Sequence, residues 1–159
     1  MNNYKLEIRW GVIFSAAMLL WLLIERLAGL HSTQIAQHMI WTNLFAIIAI
    51  GIYVFALRQK RDKELAGQMT WKQGFMCGVG ITIVVALLTP LTQWLAHTVV
   101  SPHFFANMVD YAVRSGNMTE AQALSYFSLQ SYMIQSVIGA VVMGVLTAAV
   151  VALFVRTQK

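Results

Sequence analysis

Charge is scarce in this chain: 11 Lys and Arg and 6 Asp and Glu make up 11% of 159 residues. An ordinary soluble surface needs far more, because polar side chains must cover it. Cysteine is limited to Cys77, which excludes an internal disulfide framework. Proline occurs only at Pro90 and Pro102, so no proline-rich linker divides the chain into domains. No Gly-rich phosphate loop, HExxH, GxSxG or CxxC is present, and the few carboxylates Asp62 and Glu64 sit among basic residues. No catalytic residue, metal or other cofactor is therefore expected, and an enzyme is the minority reading.

Long apolar runs fill the space that charge leaves. The chain is 58% hydrophobic with a mean hydropathy of +0.65. Four runs, about 10–30, 36–57, 71–99 and 131–155, each supply the roughly 20 apolar residues that about 30 Å of hydrocarbon requires. The expected fold is all-α: an integral membrane bundle of four transmembrane helices forming a single domain over 1–159, with an amphipathic outer helical insert at about 101–130. The basic residues orient it. Lys5, Arg9, Arg58, Lys60, Arg61, Lys63, Lys72, Arg156 and Lys159 flank ends on one side, and only Arg26 and Arg114 fall on the other. By the positive-inside rule both termini are cytoplasmic, which explains the net charge of +5 without a nucleic-acid partner. Glu25 and Arg26 follow the first run where a secretion signal would want small residues, so that run is expected to be a retained helix.

Local signals refine the spans. Trp10 suits an interfacial anchor, Gly29, His31, Ser32 and Thr33 suit a short outer turn, and Arg58 to Glu64 suit a basic loop. Thr70 with Gln73, and Thr119 with Gln122, have the spacing of capping boxes. Pro90 should kink the third span near Thr89, Thr92 and Gln93. Ser101 and Pro102 open a helix in which Phe104, Phe105, Met108, Val109 and Ala112 share one face. His103, Asn107, Asp110 and Arg114 take the other, and Ser115-Gly116-Asn117 ends it. From Thr119 the helical pattern continues almost unbroken to Val155, longer than a bilayer is thick, so its first part should project or bend.

Small residues recur every four positions at Ser136, Ala140, Gly144, Ala148 and Ala152, and again at Gly74, Gly78, Thr82 and Ala86. Such ladders let helices approach closely, either between the third and fourth spans or along a homo-oligomer seam. Glu25 and Arg26 lie near the outer end of the first span, where a charge must snorkel, pair or face water. Arg26 can snorkel while Glu25 caps a donor; alternatively Glu25 is a proton or cation site. Glu25, Arg26, His38, Gln93 and His97 together outline a polar outer vestibule. The four histidines all fall on the outer side, where they can sense pH, bind zinc, or simply hydrogen-bond at the interface, and their spacing matches no strong metal motif. Trp41, Asn43, Trp94, Gln130, Ser131 and Gln135 lie at similar depth and can hydrate the bundle or glue helices together.

The segment Arg61-Asp62-Lys63-Glu64-Leu65-Ala66-Gly67, then Met69-Thr70-Trp71-Lys72-Gln73-Gly74-Phe75, and later Pro102-His103-Phe104, resembles the bacterial membrane-protein family called domain of unknown function 4199. Ala66 stands where a second glycine is frequent, and Trp71 where phenylalanine is frequent. The resemblance implies a four-span protein of the bacterial inner membrane and carries over no catalytic residue.

Function is expected to be association, with membrane lipid around the chain and either a second copy or an envelope complex as partner. A small transporter or channel component built around the polar vestibule is the alternative, and a lipid-modifying enzyme a further one.

Overall fold

Hydrocarbon offers no partner for backbone N–H and C=O groups, so apolar runs of this length satisfy them internally as α-helix. The computed structural model describes residues 4–157, is 83% helical, and has no strand among the described residues. In chain order the helices are α1 (Lys5–Leu27), α2 (His38–Gln59, entered through a 3-10 turn at Ile35–Gln37), α3 (Trp71–Leu95), α4 (Phe104–Arg114), α5 (Glu120–Tyr126) and α6 (Leu129–Val155). Four helical stretches, Lys5–Leu27, Ile35–Glu64, Trp71–Val100 and Leu129–Val155, are long and apolar enough to cross a membrane. Their outward side chains are apolar as well: Leu27, Leu87 and Phe154 are 75–83% exposed. A surface of this kind needs lipid, not water, against it.

Three boundaries differ from the sequence expectation. Helix α1 begins at Lys5 rather than Trp10, so the indole of Trp10 lies within the helix and donates to Gln59 Oε1 at 2.8 Å. The basic cluster expected as a loop is helical, since Lys60–Glu64 continues α2 as a π-helical turn. Helix α4 begins at Phe104, with His103 in the N-cap position, rather than on Ser101 and Pro102. The bend expected in the first part of the Thr119 to Val155 pattern takes the form of a break at Phe127 and Ser128. There the buried Phe127 leaves helical backbone, and Ser128 Oγ accepts the N–H of Ser131 at 3.3 Å, a serine acting as the cap of α6. Helix α3 continues through Pro90 to Leu95 and then passes into a π-helical turn, Ala96–Val100.

By packing, the chain divides into two units, each taking part of all four long helices. The first comprises residues 4–15, 46–88 and 138–157. Its core gathers Leu6, Tyr53, Leu57, Met69, Cys77, Ile81, Ala148, Val151 and Ala152. Here the small residues of α3 and α6 interlock. A Cβ on Gly78 would stand 2.4 Å from Ala148 Cβ, one on Gly144 2.6 Å from the Thr82 side chain, and one on Gly74 3.2 Å from Ala152 Cβ. Backbone contact this close supplies the van der Waals packing that lipid does not drive by itself. Polar ties complete the unit: Tyr53 Oη lies 2.7 Å from Thr82 Oγ1, and Trp71 Nε1 donates to Ala149 O at 3.0 Å. Lys60 Nζ joins Glu7 Oε1 at 2.9 Å and Glu64 Oε2 at 2.7 Å. The capping box of Thr70 and Gln73 forms, with Thr70 N–H on Gln73 Oε1 at 2.8 Å.

The second unit comprises residues 16–45 and 89–137. Helix α1 ends in a Schellman motif: Gly29 is left-handed (φ 78°), its N–H reaches Arg26 O at 3.0 Å, and Leu30 N–H reaches Glu25 O at 2.9 Å. Helix α4 ends the same way, with left-handed Gly116 on Val113 O and Asn117 on Ala112 O. Helix α5 starts with the expected capping box, Thr119 with Gln122. Ala112, Ala123 and Phe127 form the small core between α4 and α5, edged by Phe105, Met108, Val109, Met118 and Tyr132.

Candidate functional site: a buried glutamate among histidines

The Schellman turn reverses the chain after α1 and brings His31, then His38 at the first position of α2, back over Glu25. Glu25 is 1% exposed. Its two carboxylate oxygens are used differently. Oε1 accepts from Trp21 Nε1 and from Thr42 Oγ1, each at 2.7 Å, which satisfies it. Oε2 faces His31 Nε2 at 3.3 Å and His38 Nδ1 at 3.6 Å. One carboxylate oxygen and two imidazole nitrogens thus converge, all within 4.8 Å of one another.

Phe104, the first residue of α4 and 1% exposed, closes this group. Its ring centroid lies 4.9 Å from that of His31, 5.1 Å from His38 and 4.8 Å from His97. Asn107, one turn on, donates to His31 O at 2.8 Å. His97 adds a second polar pair, its Nε2 3.0 Å from Gln93 Oε1, and its ring also meets Tyr132 edge-on. Two further ring nitrogens, Nδ1 of His31 and of His97, are buried without a hydrogen-bond partner among the described residues.

Of the residues outlining the expected vestibule, Glu25 and His38 meet directly, and Gln93 and His97 join them through Phe104. Arg26 is exposed and points elsewhere. Glu25, Gln93 and His97 are buried, so the group is a closed polar cluster instead of a wide hydrated mouth. Of the packing ladder, Gly74, Gly78, Gly144 and Ala148 lie in the α3–α6 contact, Ala140 packs against the same core, and Ser136 is half-buried in the second unit. Trp21 and Thr42 were not singled out by sequence, although each lies four residues from a cluster member on its own helix, the spacing that puts side chains on one face.

Apolar helices of spanning length and an all-helical fold define a multi-span integral membrane protein. The family model described as "Protein of unknown function (DUF4199)" matches residues 9–157, and the chain belongs to that family. No curated protein and no solved structure matches it.

Proposed function

We propose that this is a non-enzymatic protein of the bacterial inner membrane, with both termini cytoplasmic, that works by associating with a second copy of itself or with an envelope protein complex. The small-residue ladders no longer favour a lateral seam, because α3 and α6 use them on each other. Support comes instead from the insert. Helix α4 is anchored by Phe104 and closed by its Schellman turn, and α5 starts from a capping box, yet the opposite face of α4 carries an ion pair of Asp110 with Arg114. That face and the 32–36 turn border an open cleft of about 650 Å³, lined by Ser32, Thr33, Asn107, Asp110, Tyr111 and Arg114. A cleft bordered by an ion pair and several polar side chains, on a chain with so few polar residues, is the observation that carries the reading.

Photo-crosslinkers at Thr33 and Arg114 test it in intact membranes. Adducts of one discrete mass at both positions, and none from lipid-facing Met143, are expected; a bare monomer at every position and in native mass spectra refutes it. Cysteine labelling from the periplasm checks orientation, with Asn117 reactive and Lys63 protected.

A second reading, cation handling as a channel or transporter component, is favoured by the buried Glu25 cluster, since ionisable groups at membrane depth tend to mark ion pathways. Proteoliposomes tight to protons and to mono- and divalent cations would eliminate it.

A further inference from the structure

We propose that Glu25, His31 and His38 form a binding site for one divalent transition-metal ion of the zinc type. Two imidazole nitrogens, which are borderline ligands, together with one carboxylate oxygen make a donor set suited to zinc and its neighbours, and no thiolate takes part that would favour softer ions. The spacing points the same way. Bonds of about 2.0–2.1 Å from a tetrahedral ion separate its ligands by about 3.3–3.5 Å, and Glu25 Oε2 stands 3.3 Å from His31 Nε2 and 3.6 Å from His38 Nδ1. A short charge-assisted hydrogen bond would instead draw nitrogen and oxygen to about 2.7–2.9 Å. His38 Nδ1 also lies 3.4 Å from Thr42 Oγ1, a hydroxyl that already directs its proton to Glu25 at 2.7 Å. The lone pair of His38 is thus not committed to a strong bond.

The surroundings orient the carboxylate and restrain both rings. Trp21 and Thr42 hold Oε1 and so aim Oε2 at the two rings, the outer-shell orientation that fixes a ligating carboxylate. Phe104 packs on both imidazoles and limits their rotation. Three protein ligands leave a fourth position for water, as in zinc sites of the His2Glu type. An ion there would also balance a carboxylate otherwise held in an apolar environment.

The full chain, purified in mild detergent without a polyhistidine tag and stripped with chelator, is titrated with Co2+ and then Zn2+. One Co2+ per chain with the visible absorption of a four- or five-coordinate site, displaced by Zn2+, is expected. Glu25→Gln and His38→Gln should each abolish stoichiometric uptake, Thr42→Val should weaken it about 10–100-fold, and His103→Ala, whose side chain is exposed outside the cluster, should leave it unchanged. Wild-type protein that takes up no stoichiometric metal overturns the proposal whatever the variants do. So does uptake that survives in folded Glu25→Gln and His38→Gln proteins, with helicity and melting temperature measured alongside.

Discussion

Adding one methyl group at Gly78 sets two opposing effects against each other. Alanine favours a helix over glycine by about 1 kcal/mol. At Gly78, however, the new Cβ would stand 2.4 Å from Ala148 Cβ and 3.1 Å from Ala148 Cα. Relief to ordinary contact needs α3 and α6 to part by about 1 Å, and overpacking of this kind costs about 1–3 kcal/mol. Since Gly74 and Gly144 share the interface, the whole row separates together, which favours the upper end. Gly78→Ala should therefore destabilise by about 1–2 kcal/mol after the propensity gain is subtracted. Gly139, on α6, has nothing within 4 Å of its ideal Cβ position, so Gly139→Ala should stabilise by about 1 kcal/mol. Reversible SDS unfolding in mixed micelles, followed by circular dichroism, reads both. Ala148→Gly added to Gly78→Ala should recover more than half of the loss. Equal signs for the two single variants would mean that α3 and α6 do not approach as described.

Ala66 is left-handed (φ 50°), a conformation that costs an L-residue roughly 1–2 kcal/mol; Ala66→Gly should stabilise by about 0.5–1 kcal/mol net of the greater freedom of glycine in the unfolded chain, measured in the same assay. Lys60→Met strips the buried Glu7 of its cation and should cost about 2–3 kcal/mol, less than the roughly 3–5 kcal/mol of a fully buried pair because Lys60 stays 19% exposed. Adding Glu7→Gln should recover most of that loss. Phe104→Ala removes the ring on which three histidines pack and should cost about 3–5 kcal/mol, with proteolysis of 101–130 at lower protease concentration as the readout.

Much of this architecture is written in local pattern. Spans, capping boxes and the glycine stop of α4 each depend on residues a few positions apart, so Thr119 with Gln122 and Ser115-Gly116-Asn117 announce themselves. The bend before the last span is legible from length, but its place is not: hydropathy does not register that Ser128 can cap a new helix while Phe127 is pulled into a core with Ala112 and Ala123. Ala66 is instructive too. It stands where the resemblance puts a frequent glycine, and the position is left-handed, which is the reason glycine suits it. The Glu25 group was only half visible. The spacing of six residues from Glu25 to His31 matches no helix face, the seven from His31 to His38 cross a non-helical turn, and it takes the Schellman turn at Gly29 to bring the three together.

The chain buries two carboxylates and treats them in opposite ways. Glu7 receives a permanent cation, Lys60, at 2.9 Å. Glu25 has a permanent cation next to it in sequence, but adjacent helical residues diverge by about 100°, and Arg26 stays exposed. What faces Glu25 is two imidazoles, a hydroxyl and an indole N–H. A group retained only to glue helices together would be served by a fixed partner of the kind Glu7 has, because a permanent ion pair does not vary with conditions. Imidazoles carry charge only when protonated and coordinate metal only when not. The partner set at Glu25 is therefore one whose charge can change, and that is the physical ground for assigning an exchangeable cation to the second unit and a structural ion pair to the first.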